Sequence, residues 1–210
     1  MSKKTHKNKE AFSLLEIIFV VIILVIIATQ IVPKSQISKL NLATDKVILY
    51  LNYTRYIAHV DNKFNNQDEH WQKRHWTLKF LNCQSSIGGL YYVVYSDTHE
   101  GTGHHKKIDT LIDPLNNKYL YSHQCREDTL NDKSKHVLLT QEYGVTKVDV
   151  SCNTTDTIGQ ISFAYDGKIY SQLGTNIKEI TNQCKIKLFN NENDFTTIVI
   201  EPKTGYIHKI

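Results

Sequence analysis

Phe12-Ser13-Leu14-Leu15-Glu16-Ile17-Ile18-Phe19-Val20-Val21-Ile22-Ile23-Leu24-Val25-Ile26-Ile27-Ala28-Thr29-Gln30-Ile31-Val32 is the stretch on which the fold of this chain turns. It holds 21 residues and one charge, Glu16. A helix of that length, rising about 1.5 Å per residue, spans roughly 30 Å, the thickness of a bilayer core. The composition therefore predicts a transmembrane helix over 12–32. A basic leader, 1–11, precedes it, with Lys3, Lys4, Lys7 and Lys9 against Glu10, and Pro33 follows at once. A carboxylate inside such a run costs on the order of 2.5–3.5 kcal/mol at mid-membrane and calls for a positive partner. Cleavage between Ala11 and Phe12 would create one, the new α-amino group of Phe12.

Ala11/Phe12-Ser13-Leu14-Leu15-Glu16, the aliphatic run and Pro33 together resemble the prepilin signal of type IV pilins and type II secretion pseudopilins. In that family a prepilin peptidase cuts before the aromatic residue and methylates the new amino group. A glutamate stands fifth in the mature chain and a proline often twenty-second, the places that Glu16 and Pro33 take here. The family usually has glycine before the cut, where this chain has Ala11. The resemblance implies leader cleavage at Ala11 and Phe12, N-methylation of Phe12, and assembly through Glu16, paired with the amine of a neighbouring subunit. It implies a minor pseudopilin, a structural subunit of a type II secretion pseudopilus. Such a protein sits in the bacterial inner membrane by a single pass, with its C-terminal head in the periplasm. The implied partners are the prepilin peptidase, other pseudopilins or pilins, the inner-membrane assembly platform and the membrane. A competence pseudopilin or type IV minor pilin serving DNA uptake is the alternative, since both kinds share this N-terminus.

Two plainer readings compete. A secretory signal would carry a shorter apolar region followed by a small-x-small site, which Ala28-Thr29-Gln30 does not offer. A plain single-span anchor fits the run but leaves Glu16 unexplained. The lysines give little orientation, because Lys34, Lys39 and Lys46 follow the run almost as closely as four lysines precede it.

Residues 33–210 form one domain by length. The formal net charge is +4. Four leader lysines and one glutamate supply most of it, so charge does not mark the head as a nucleic-acid binder. Cys83, Cys125, Cys152 and Cys184 all follow the apolar run. An even count on an oxidising side favours disulfides, with three possible connectivities. The sequential pairs Cys83–Cys125 and Cys152–Cys184 close the shorter loops and are preferred. The usual zinc spacing is missing.

Beyond Pro33, Leu40, Ala43, Val47, Leu51, Thr54 and Ala58 recur at helical steps. They predict an amphipathic helix over 36–60, packed on a sheet. Alternation predicts strands at 76–81 and 90–95, a short one at 118–122, and a run of hairpins from 137 onward. These are 137–143 with 145–151, 160–165 with 168–172 around Asp166-Gly167, and 184–189 with 195–201, before a last strand at 206–210. The class is α+β: a long N-terminal helix, membrane-spanning in one half and amphipathic in the other, on an antiparallel sheet or sandwich. Ile161-Ser162-Phe163-Ala164-Tyr165-Asp166-Gly167-Lys168 and Ile198-Val199-Ile200-Glu201-Pro202-Lys203-Thr204-Gly205-Tyr206 are similar to H-type minor pseudopilins and FimT-like minor pilins, which implies a β-sandwich-like head.

No catalytic motif stands in the chain: there is no G-x-S-x-G, no H-E-x-x-H and no phosphate loop. It reads as a non-enzyme without cofactor or metal. His99, His104 and His105 near Asp97 and Glu100 suit a solvated loop better than a ligand set, which needs held geometry. Asp109 and Asp113 alone do not make a calcium site. Lys106, Lys107, Lys203, His208 and Lys209 are scattered, and direct nucleic-acid contact is not expected.

Overall fold

The apolar residues of the head sort onto the inner faces of two sheets and one face of a helix. The computed structural model describes residues 14–31, 38–68, 71–98, 105–127, 131–173, 177–191 and 194–210, with side chains in the first stretch described through Ile26. The chain divides into two units, 1–37 and 38–210. In the first, helix α1 runs Leu14–Ile31.

The second unit opens with α2, Lys39–Val60. Its buried stripe is Leu40, Ala43, Thr44, Val47, Tyr50, Leu51, Thr54 and Ala58. The two buried threonines bond back along the helix, Thr44 to the Leu40 carbonyl at 2.8 Å and Thr54 to the Tyr50 carbonyl at 2.6 Å, so neither hydroxyl is orphaned. Thr44 also reaches the Thr196 hydroxyl.

The first sheet contains β1 (Trp76–Asn82), β2 (Leu90–Tyr95), β4 (Gly159–Phe163), β5 (Ile169–Gln172) and β6 (Lys178–Glu179), in the order β2-β1-β4-β5-β6. The second contains β3 (Lys147–Val150), β7 (Cys184–Phe189), β8 (Phe195–Ile200) and β9 (Ile207–Lys209), in the order β3-β7-β8-β9. Every ladder is antiparallel. α2 packs against both sheets. Leu78, Phe80, Ile161, Phe163, Ile186, Leu188, Ile198 and Ile200 meet its stripe in one core.

β2 is buried along its whole length, Leu-Tyr-Tyr-Val-Val-Tyr, although it lies at the end of its sheet. The cause is the described part of the excursion that follows, 105–127 and 131–138, which folds back over it. Tyr91, Val93 and Tyr95 on the outer face join Cys83 and Cys125 in a second, smaller core, with Leu81, Tyr121 and Leu138 against it. The disulfide Cys83–Cys125, with Cα atoms 5.2 Å apart, ties the excursion to the end of β1. Cys152–Cys184, also 5.2 Å between Cα atoms, ties the chain beyond β3 to the start of β7.

Three elements differ from expectation. Residues 137–143 are not a strand. A 3₁₀ turn, Lys135–Val137, leads into α3, Leu139–Tyr143. Gly144, read as a hairpin turn, instead ends α3 at φ +72, with its N–H on the Thr140 carbonyl at 2.9 Å. Residues 118–122 form only isolated bridges. Tyr119 pairs with both Ile112 and Lys133, so its backbone is shared between segments and no ladder propagates. β6 was not foreseen; two exposed residues carry no alternation to read.

The membrane-spanning helix expected over 12–32 is corrected. Among the described residues no helix is long and apolar enough to cross a membrane. α1 has 18 residues, about 27 Å at 1.5 Å per residue, against the roughly 30 Å of a bilayer core. What rested on the span falls with it. That includes the single-pass inner-membrane placement with a periplasmic head. It includes the membrane, prepilin peptidase, other pseudopilins or pilins and assembly platform as partners. It also includes the role as a pseudopilus subunit, together with its DNA-uptake alternative. The α+β class stands as helices packed on two antiparallel sheets.

Candidate interaction surfaces and a buried polar node

The residues singled out at the N-terminus separate into two groups. Ala11, Phe12 and Pro33 lie outside the described residues, and so does the leader 1–11. Glu16 falls in the first turn of α1, where a carboxylate suits the positive end of the helix dipole. Around it every apolar side chain from Leu14 to Ile26 is 49–79 % exposed. From Ile17 to Ile26 no polar residue interrupts the circumference. A helix apolar on all sides is one that something else must cover.

Of the histidine loop, His99, Glu100 and His104 lie outside the described residues. His105 packs its ring 5.3 Å from Tyr95 and 5.9 Å from Tyr121. Asp109 is buried and accepts the Thr98 hydroxyl at 2.7 Å. Among the described residues no group of three or more His, Cys, Asp or Glu side chains could hold a metal ion.

Asp113, by contrast, is the centre of a polar node that spacing along the chain does not reveal. Its carboxylate is fully buried. Oδ2 accepts the Tyr50 hydroxyl at 2.8 Å and the Ser134 hydroxyl at 2.5 Å, and His136 Nδ1 lies 2.9 Å away. Oδ1 accepts the Leu115 N–H at 2.9 Å. Tyr50 has one proton and gives it to Asp113, so His136 Nδ1, 2.8 Å from the same phenol oxygen, must carry its own hydrogen. Burial alone would raise the Asp113 pKa. Hydrogen bonds from Ser134, the Leu115 N–H, Tyr50 and His136 outweigh it and hold the carboxyl below its ordinary value. Burial, and then Asp113 beside it, push the Tyr50 phenol well up.

Ser134, His136 and Asp113 are a nucleophilic set by type but not by arrangement. A working relay runs hydroxyl to imidazole to carboxylate. Here the hydroxyl and the imidazole both address the carboxylate, and Ser134 Oγ also accepts Asn116 Nδ2 at 2.9 Å. The node fastens the excursion 96–138 to α2 through Tyr50. Tyr92 extends it, donating its hydroxyl to the His136 carbonyl at 2.8 Å.

A cavity of about 440 Å³ opens beside the Cys83–Cys125 bridge, lined by Tyr121, Cys125, Arg126, Lys133, Leu138 and Glu142 among others. Its lining mixes cations and carboxylates, Arg126, Lys133 and Lys135 with Glu127 and Glu142. No family model matches the chain, and no curated protein or solved structure is significantly similar to it. The functional argument therefore rests on the surfaces themselves.

Proposed function

We propose that this chain is an assembly subunit rather than an enzyme: a disulfide-stapled α+β head joined in sequence to an apolar helix that is buried by helices of other protein subunits. The observation that carries this is the exposure of α1 on all sides, at least 49 % for each apolar residue from Leu14 to Ile26. Leu, Ile, Val and Phe all round give a neighbouring helix ridges and grooves to pack against, and burial removes roughly 25 cal/mol of unfavourable free energy per Å² of apolar surface. Equivalent helices from copies of the chain satisfy one another. The head suits a structural role, since its buried acid–hydroxyl–imidazole set is arranged to hold the fold.

Kinship with the type IV pilin-like family belongs to this proposal. Leu14-Leu15-Glu16 at the head of an apolar helix, and an antiparallel head behind an amphipathic helix, support it. It extends neither to a membrane span nor to a secretion or DNA-uptake machine.

Photo-leucine incorporated throughout an equal mixture of light and heavy isotope-labelled chain tests the reading. Irradiation should link the α1 segment of one copy to the α1 segment of another, giving mixed light–heavy peptides by mass spectrometry. Links from α1 to the chain's own head alone would overturn it.

A further inference from the structure

The outer side of α2 is not the polar side that a helix packed on sheets normally turns to water. Leu42, Leu49, Tyr56 and Val60 stand 40 %, 39 %, 60 % and 62 % exposed there, with Lys46 and Tyr53 half-buried beside them. These six positions alternate steps of four and three along the chain. That is the spacing of a seam along which one helix packs on another in a left-handed supercoil. The row covers about 27 Å of helix, and its one charge is Lys46. Asp45, Asn52 and His59 follow one flank of it, also seven apart. The other flank, with Ala43 and Tyr50, is buried in the head.

The polar members of this face decide which helix covers it. An uninterrupted apolar helix laid on the row would take Lys46 and Asn52 out of water with nothing to replace it. A second α2 running parallel would set Lys46 against Lys46. A second α2 running antiparallel sets each of them against a suitable group. Its layers are Leu42 with Val60, Lys46 with Tyr56 and Leu49 with Tyr53, each made twice about a two-fold axis. The Lys46 ammonium then meets the face of the Tyr56 ring. On the flank Asn52 meets Asn52 and Asp45 meets His59, so no like charges are opposed. The groups needed are available. Asn52 gives one amide N–H to the Ile48 carbonyl at 3.0 Å and keeps the other, with Oδ1, for its counterpart. The Asp45 carboxylate is 63 % exposed, with Lys209 Nζ 3.9 Å away at the limit of an ion pair. His59 donates Nδ1–H to the Tyr165 carbonyl oxygen at 2.7 Å, which leaves Nε2 for the second copy.

We infer that the outer face of α2 is a second assembly surface, on which two copies of the chain join antiparallel. The row from Leu42 to Val60 makes the contact, and Asp45, Asn52 and His59 fix its register. Six residues a side put it at the small end of protein interfaces, below about 1,200 Å² in total, so the pairing is weak and transient. The inference goes beyond assembly through α1, because it uses a face of the head.

The test uses the full chain carrying Val21→Glu, so that α1 does not hold copies together. p-Benzoylphenylalanine replaces Tyr56 in light-isotope chain, which is mixed with heavy-isotope chain and irradiated. The mixture stands at roughly 0.5 mM, above the dissociation constant of about 0.1 mM expected for so small a contact. At about 5 µM the same chains should be monomeric. Mixed peptides should join position 56 of the light chain to residues 42–49 of the heavy chain. Leu49→Glu in both chains should lower their yield at least about tenfold, because it buries a carboxylate in both central layers. The position of the link before that substitution decides the matter even if the variant fails to fold. A link to residues 53–60 of the heavy chain, a link to other segments alone, no mixed peptide at all, or an undiminished yield from folded Leu49→Glu would each overturn the proposal.

Discussion

α1 and α2 lie close together in sequence and solve opposite problems. α2 is apolar along one stripe, and the two sheets of its own head cover that stripe. α1 is apolar on every side, and each of its apolar residues from Leu14 to Ile26 remains at least 49 % exposed. The difference teaches where each helix gets its stability. Isolated helices of this length are marginal in water, and most helical stability comes from packing. The folding of α2 is therefore an internal matter of the head, while under the proposed function α1 depends on contacts between molecules.

The contrast breaks first at the node if the head does not hold itself together. Asp113→Ala strands the Tyr50 and Ser134 hydroxyl protons and the Leu115 N–H, and leaves His136 Nδ1 only the Tyr50 oxygen. It should cost about 3–5 kcal/mol in urea unfolding of the full chain, as for a broken buried pair. A loss under 1 kcal/mol would remove the node from the account. Next come the staples. Replacing both Cys152 and Cys184 by Ala should lose about 4 kcal/mol, the chain-entropy value for a loop of 32 residues. An unchanged denaturation midpoint would show that the closed loop does not restrain the unfolded chain.

A smaller effect is read from pH. His75 is 4 % exposed, its ring 5.4 Å from both Trp71 and Tyr170, and burial pulls its pKa down to about 4. Between that value and the unfolded value near 6.5, the unfolded chain binds the extra proton. Stability should therefore be full above about pH 6.5 and fall by about 3 kcal/mol as pH drops to 4. His75→Phe should flatten that window. The same slope in the variant would assign it elsewhere. The smallest expected effect sharpens the comparison most. Val21→Glu on α1 should change the unfolding free energy of the head by less than about 0.5 kcal/mol.

The sequence is most readable where local period and tertiary packing agree. The α2 stripe shows its helical step residue by residue, and Asp166-Gly167 marks the tight turn between β4 and β5 because Gly167 sits at φ +87. Residues 137–143 mislead for a physical reason. Leu139 and Tyr143, four apart, suit a single helical turn as well as a short strand, and Gly144 ends either one. The apolar run of α1 was read through its length. That rule measures whether a segment could span, and among the described residues no helix is long and apolar enough to do so. The node was illegible because Tyr50, Asp113 and His136 stand 63 and 23 residues apart along the chain and carry no shared spacing.

Sedimentation of the full chain in aqueous buffer, beside Val21→Glu, tests most directly whether α1 is covered by other protein helices. The account predicts that the wild type sediments as a single species at an integer multiple of 24.3 kDa and that the variant sediments as a folded monomer of that mass. A monomeric wild type, an aggregate of no defined mass, or a variant that associates as well as the wild type would contradict it.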